Sequence, residues 1–395
     1  MNPAARVQSA IELVDAIIIG AREGGAAADV VATRFFKERR YAGSGDRRVI
    51  RDLAWRAIRR FGEIPKSGRS AMVAMADADP ELAALFNGEG RGPTKIGSQE
   101  HRAVGGVMPQ WLMSALSPLV DERELSALLD RAPLDLRINR LRLGAIALPD
   151  GQALPAPLDG MRLPSDTAVL DSEAHQAGAI EVQDAGSQWI AHVCGARADV
   201  KVVDLCAGAG GKTLALSNAM GGQGQLIACD TDRKRLQQLP ARARRAGAEH
   251  IETRLLDPNR ETEALADLIG TADIVLVDAP CSGSGTWRRN PESRWRLSPT
   301  RLARLVDAQA YIMDLAAQLV APGGAIVYAV CSIITAEGEQ QVDDFLKRHP
   351  TFTADNLSST FSQSRPFGRP AGAGRLLTPA RDATDGFFVA RLLCR

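Results

Sequence analysis

Two cysteines each follow a run of β-branched and apolar residues: Cys281 closes IVLVDAP (274–280), and Cys331 closes AIVYAV (325–330). Strands of a parallel sheet present their C-terminal ends to the ligand crevice, so both thiols are expected at one rim. A thiolate placed there can add to carbon 6 of a cytosine, which turns carbon 5 into an enamine able to attack an electrophilic methyl group. The methylated ring still carries the thioether and a proton on carbon 5, so a second thiol beside the first is suited to assist release. Asp278, three residues before Cys281, can hydrogen-bond or protonate the ring near N3 and so stabilise the adduct. Lys212 is a candidate partner for that carboxyl or for the base. Pro280, Gly283 and Gly285 set a tight turn that presents Cys281, whereas Cys194 and Cys229 read as small buried hydrophobes.

The donor for such chemistry is sought at the first strand. VVDL (202–205) runs into Cys206, Ala207, Gly208, Ala209, Gly210, Gly211 and Lys212, and a helical stretch follows. A glycine turn between strand and helix lets a ligand approach the backbone closely. Three cofactor classes compete for it. A phosphate-binding P-loop needs glycine where Cys206 stands, and a dinucleotide turn needs a third glycine where Thr213 stands. S-adenosylmethionine is the reading left. Asp230 ends the next strand, twenty residues beyond Gly210, where an acid suits ribose hydroxyls. Asp257 and Asp278 end the third and fourth strands, and Arg235 is grouped with these cofactor-binding candidates. Any one of these acids could instead be a helix N-cap.

The elements that must carry these residues follow from pattern. From Val182 on, strands and helices alternate (KVVDL, QLIACD, IETRLLD, DIVLVDAP, AIVYAVCS, then GFFVARLLC), which predicts an α/β, doubly wound, mostly parallel sheet over residues 181–395. Residues 1–87 show helical periodicity and predict a small all-helical domain. Residues 88–105 have linker composition, and 106–180 read as a small α+β module that starts helical and turns to short alternating segments.

Composition bounds the rest. The 395 residues are 45% apolar and 24% charged, ordinary for a globular chain, with 48 Lys and Arg against 47 Asp and Glu. A net charge of +1 makes no global case for a nucleic-acid partner, but residues 34–60 hold ten basic and three acidic side chains. That run reads either as a polyphosphate-facing patch or as a solvated helix face. The six cysteines form no CxxC pair and the five histidines no HExxH, so no metal site is expected. No apolar stretch approaches a membrane span and no charged-then-apolar leader is present, so a reduced, cytoplasmic protein without a membrane partner is expected. A monomer is expected.

At this point the residues resemble a family. DLCAGAGGKT (204–213), DAPCSGSGTWRRNPE (278–292), YAVCSI (328–333), VQDAGSQ (182–188) and DGFFVARL (385–392) look like the Sun/Fmu branch of the RNA cytosine-5 methyltransferases. LDLRINRLR (134–142) is similar to the family's small pre-catalytic subdomain, and the N-terminal helical stretch, with YAGSGDRR (41–48), is similar to its NusB-like RNA-binding domain. The resemblance implies a class I, Rossmann-like methyltransferase fold, S-adenosylmethionine as cofactor and RNA as partner, with a cytosine of 16S ribosomal RNA as target. It also implies that Cys331 is the nucleophile and Cys281 the release cysteine, and that residues 206–212, Asp230, Asp257 and Asp278 contact the cofactor or the base. DNA cytosine methyltransferases attack with the cysteine of the Pro-Cys turn, and the residues alone leave the order of the two thiols open. A non-catalytic RNA-binding or assembly factor that keeps the fold is the other alternative. The chain departs from the family pattern at Ala209, usually Pro, and at Val330, usually Thr.

Arg288, Arg289, Arg294 and Arg296, interleaved with Trp287 and Trp295, follow the Pro-Cys turn. Such a run suits phosphate contact and base stacking on RNA, or, for the two tryptophans, loop packing. Arg137 and Arg140, with Arg142, form a second basic cluster expected to face RNA.

Overall fold

The computed structural model describes residues 1–357 and 367–395. The chain forms two compact units, Met1–Leu116 with Thr286–Pro299, and Ser117–Gly285 with Thr300–Arg395.

The first unit is helical. Helix α1 (Pro3–Arg22) starts with Pro at its first position and an Asn2 cap whose side chain accepts from the Ala5 amide at 2.7 Å, worth about 1 kcal/mol. Its apolar residues Val7, Ala10, Ile11, Val14, Ile17, Ile18 and Ala21 recur at helical spacing and are buried. They pack with α2 (Ala28–Glu38), α3 (Ser44–Arg60), α4 (Gly68–Ala76) and α5 (Pro80–Ala84) around Leu13, Ile50, Ile58, Phe61 and Met72. Gly68 is required where α4 meets α1, since an added Cβ would lie 2.2 Å from the Ile11 carbonyl oxygen. In α3 the buried set is Ile50, Leu53, Ala54, Ala57 and Ile58, so the arginines of this basic stretch occupy the remaining faces of the helix.

The segment Thr286–Pro299 packs into this helical unit. Its short 3-10 helix, Pro291–Arg296, buries Trp295 in the same core as α1 and α3. Arg294 is 0% exposed and donates to the carbonyls of Ile58, Arg59 and Phe61 at the end of α3, and to that of Val107. A cation satisfying the last carbonyls of a helix also complements its dipole. The Trp295 indole donates to Phe61 O at 2.7 Å, Arg296 donates to the carbonyls of Gly20, Gly25 and Ala26, and Glu292 accepts from the Ala28 amide at 3.0 Å.

The second unit holds two sheets. The smaller is antiparallel, in the order β2 (Gln152–Ala153), β3 (Gly160–Leu163), β1 (Leu134–Ile138), β4 (Ile180–Val182). The larger, nine-stranded among the described residues, is built from β5 (Lys201–Asp204), β6 (Gln225–Asp230), β7 (Glu252–Leu255), β8 (Ala272–Asp278), β9 (Val320–Val330), β10 (Phe352–Ala354), β11 (Arg369–Ala371), β12 (Gly374–Leu377) and β13 (Phe387–Cys394). Its order is β11-β12-β13-β9-β8-β5-β6-β7, with β10 pairing β13. Strands β5 to β9 are mutually parallel, whereas β13 runs antiparallel to β9. This is the doubly wound, mostly parallel architecture the pattern predicts, with β13 running against its neighbour. Val202, Val203, Val275, Leu276, Val277 and Val327 are fully buried, as parallel strands covered on both faces require.

The topology fixes where a ligand belongs. From β5 the chain winds outward through β6 and β7, then returns to lay β8 and β9 on the other side, so the switch point lies between β5 and β8. Asp204 and the glycine turn leave one of these strands there, Asp278 and the Cys281 turn the other.

Candidate active site

The glycine turn after β5 takes the left-handed backbone that its glycines allow, with φ of 55° at Gly208 and 86° at Gly210. A Cβ at Gly210 would stand 2.2 Å from Leu239 Cδ1, and the left-handed backbone strains any residue but glycine there. The Asp230 carboxylate at the end of β6 holds the turn from the side, accepting the Gly208 amide at 2.7 Å and the Asp232 amide at 2.7 Å. Two amides use about half of a carboxylate's four or so acceptor positions. Beneath the turn Asp204 is buried and accepts from Thr213 Oγ1 at 2.7 Å; burial pushes its carboxyl up to about 7. Burial also raises the Cys206 thiol well above its ordinary value. Arg235 is exposed, with its guanidinium over Gly208, and Asp257 is exposed at the end of the edge strand β7.

The two reactive loops are brought together by strand register. β8 and β9 pair in parallel with Asp278 opposite Ala329, and the Ala279 amide donates to Ala329 O at 2.9 Å. Cys281 and Cys331 then leave adjacent strands at nearly the same height, and their sulfurs lie 3.3 Å apart. Gly285 completes the turn: its amide donates to Cys331 O at 3.0 Å, and an added Cβ would lie 1.9 Å from the Gly386 carbonyl oxygen. Both cysteines are half-buried.

Lys212 Nζ donates to Asp278 Oδ2 at 2.6 Å, and its ammonium lies 5.7 Å from the centre of the Phe387 ring. Burial opposes the lysine's charge, but the attraction of Asp278 outweighs it and the ammonium is held above its ordinary range, with Cys331 a further contributor. The Cys281 thiol is pushed well up, first by its contact with Cys331, then by burial and by the buried Glu337 carboxylate. A cation, Lys212, and an anion, Glu337, thus both bear on the thiol pair.

Glu337 was not singled out from sequence. It is 0% exposed and accepts four donors: the Ser282 amide at 2.7 Å, Gln309 Nε2 at 3.0 Å, and the hydroxyls of Ser282 and Ser332. The signal for it was the Cys-Ser dipeptide, which occurs at both strand ends (281–282 and 331–332) and places a hydroxyl beside each thiol.

The expected RNA-facing arginines divide. Arg294 and Arg137 are buried, 0% and 5% exposed, which corrects the expectation that they contact RNA: Arg294 is spent on helix-end carbonyls, and Arg137 donates to Gln183 Oε1 at 2.8 Å inside the second unit. Burial pushes these guanidiniums down, to about 9 and about 10. Arg296 is likewise committed to three carbonyls, and Arg288 is buried. Trp287 and Trp295 are buried too, which favours the packing reading over stacking on bases. Arg140 is exposed and paired with Asp159, and Arg289 is half-buried. No helix among the described residues is long and apolar enough to cross a membrane.

Comparisons with known proteins identify a family. Residues 193–393 match the model of a family described as 16S rRNA methyltransferase RsmB/F. The chain is 32% identical over 297 residues to the probable ribosomal RNA small subunit methyltransferase B of Synechocystis sp., an alignment covering 72% of the chain and 66% of the relative. It is 30% identical over 298 residues to the ribosomal RNA small subunit methyltransferase B of Yersinia enterocolitica, covering 73% and 66%. The chain thus spans just under two thirds of the length of these relatives. Among solved structures, the crystal structure of PH0851 superposes with a TM-score of 0.74 at 22% identity, covering 99% of both chains, a likeness of fold.

Proposed function

The chain belongs to the RsmB/F family of 16S rRNA methyltransferases, and from that membership and the geometry of the thiol pair we propose that it transfers a methyl group from S-adenosylmethionine to carbon 5 of a cytosine in RNA, with small-subunit ribosomal RNA as the substrate. The observation that carries the reading is the 3.3 Å contact between Cys281 and Cys331, at the ends of adjacent parallel strands beside the switch point. The residues at the glycine turn fit the donor. An added Cβ at Gly211 would meet nothing within 4 Å, so a ligand can approach the backbone there, and Asp230 keeps acceptor positions for ribose hydroxyls. When bound, S-adenosylmethionine supplies an electrophilic methyl group. Residues 206–212 and Asp230 would hold it, with Arg235 and Asp257 at the rim.

The chain's own residues do the remaining work. The Cys331 thiolate, its proton given up to solvent, adds to carbon 6 of the cytosine, and the electron pair displaced from the 5,6 double bond makes carbon 5 nucleophilic. Lys212 passes a proton through the Asp278 carboxyl to ring N3 as addition pushes charge into the ring, and that proton returns by the same path when the double bond re-forms. After methylation a base removes the proton from carbon 5, the carbon–sulfur bond to Cys331 breaks, and the double bond re-forms. Cys281 keeps its proton at neutral pH and is in contact with the departing sulfur, so it can protonate that sulfur as it leaves. This order of roles follows the resemblance to the RNA cytosine-5 methyltransferases. The arginines left at the surface, Arg140 among them, are the candidates for RNA contact.

The test is transfer of labelled methyl from S-adenosylmethionine to small-subunit ribosomal RNA, with the product nucleoside identified by mass spectrometry. The expected product is 5-methylcytidine, absent with Cys331→Ala although that variant still binds the cofactor. Label appearing in another nucleoside, or activity retained by Cys331→Ala, rejects the reading.

A further inference from the structure

The contact between the two sulfurs is not set by the strands alone, because each cysteine lies beyond the last paired residue of its strand. What spans the two loops is Glu337. One carboxylate oxygen accepts the backbone amide of Ser282, the residue after Cys281, and also Gln309 Nε2, which itself donates to Pro280 O at 2.9 Å, the residue before Cys281. The other oxygen accepts the hydroxyls of Ser282 and Ser332, the latter being the residue after Cys331. Ser284 Oγ joins the same cluster, 3.0 Å from Ser332 Oγ and accepting from the Ile333 amide at 3.0 Å. Glu337 is held in turn by Tyr328 of β9, whose hydroxyl donates to the Glu337 carbonyl at 2.6 Å. A carboxylate with no exposure to water persists only when its oxygens are saturated with donors, and here every donor comes from a loop that carries a thiol or from a side chain tied to one.

We propose that Glu337 is a positioning residue that clamps the Cys281 and Cys331 loops to each other, holding the release sulfur against the attacking one. It touches neither sulfur's reaction partner, and its effect passes through Ser282 and Ser332. The proposal rests on the two-thiol reading given above. It places the largest effect on the release step, which alone needs both sulfurs at once. Misplacement of a reacting group by about 1 Å costs on the order of 100-fold in rate.

Glu337→Gln keeps the shape of the side chain but puts an amide among groups that donate to it. In the full chain, with wild type as reference, it is expected to lower kcat by about 100-fold, leave KM for S-adenosylmethionine unchanged, and accumulate a covalent protein–RNA adduct on denaturing gels, as loss of Cys281 does. A loosened fold would weaken cofactor binding and give no adduct. Ser332→Ala removes one donor, is expected to lower kcat by about 10-fold with the same adduct, and decides the matter if Glu337→Gln does not fold. A kcat equal to wild type in the folded variant, or a lowered kcat with no adduct, overturns the clamp while the two-thiol reading stands. A wild-type chain that neither methylates RNA nor forms any adduct overturns that reading instead.

Discussion

Replacing Arg294 with Met separates two roles that charge patterning cannot tell apart. In the structure its guanidinium is buried against four carbonyls, three of them at the C-terminal end of α3. Hydrogen bonds from a charged donor are worth about 1.5–3 kcal/mol each, and relief of the buried charge offsets part of their sum, so the net loss is about 3–5 kcal/mol. For a unit of this size that lowers the melting temperature by on the order of 10–20 °C. The assay is thermal and denaturant unfolding by far-ultraviolet circular dichroism, run beside RNA binding over a range of salt. A residue that neutralises a phosphate contributes about one to the slope of log affinity against log salt, and its loss removes that contribution. The expected result is a destabilised protein whose slope, measured below its new melting temperature, is unchanged. Arg294→Lys should also destabilise, because an ammonium cannot reproduce the fork that reaches several carbonyls. Unchanged stability with a slope lower by about one would refute the structural role.

Other consequences are open to simpler measurement. Asp204 binds its proton more tightly folded, near pH 7, than unfolded, near 3.8, so its contribution to stability is complete below the lower value and is lost as pH rises through the higher one. Unfolding free energies of wild type and Asp204→Asn should therefore diverge in favour of Asn between about pH 4 and pH 7, by the order of a few kcal/mol, and run parallel above that; equal pH profiles contradict the shift. The thiol oxidant diamide should convert Cys281 and Cys331 to a disulfide and abolish activity, reversibly with dithiothreitol, because the sulfurs are already in contact; peptide mapping that finds other pairs oxidised first is the contrary result. Lys212→Met should lower kcat by about 100-fold with RNA affinity kept, since it removes the only cation on Asp278 among the described ion pairs; an unchanged kcat removes Lys212 from the proton path.

The strands and the glycine turn were legible because β-branched runs and left-handed glycines are local properties of the chain. The thiol pair was legible for the same reason, each cysteine following such a run. The register that sets Asp278 opposite Ala329 is not written locally, so only the structure brings the sulfurs into contact. Arg294 was assigned to RNA because an arginine-tryptophan run has the same local appearance whether it meets phosphates or helix-end carbonyls. The run's partners, Phe61 and Gly25 among them, lie more than two hundred residues away in sequence. Glu337 escaped notice because an acid after a loop is ordinary, and its meaning depends on Ser282 and Ser332 arriving from two different strands.

The central claim is a transient bond from the Cys331 sulfur to a pyrimidine, released with the help of Cys281. The most direct measurement is to mix Cys281→Ala and Cys331→Ala chains separately with labelled small-subunit ribosomal RNA and S-adenosylmethionine, denature, and count protein-linked RNA. The account predicts a stable adduct with Cys281→Ala, mapped to Cys331, and none with Cys331→Ala. An adduct that forms with Cys331→Ala and is carried by Cys281 would contradict it.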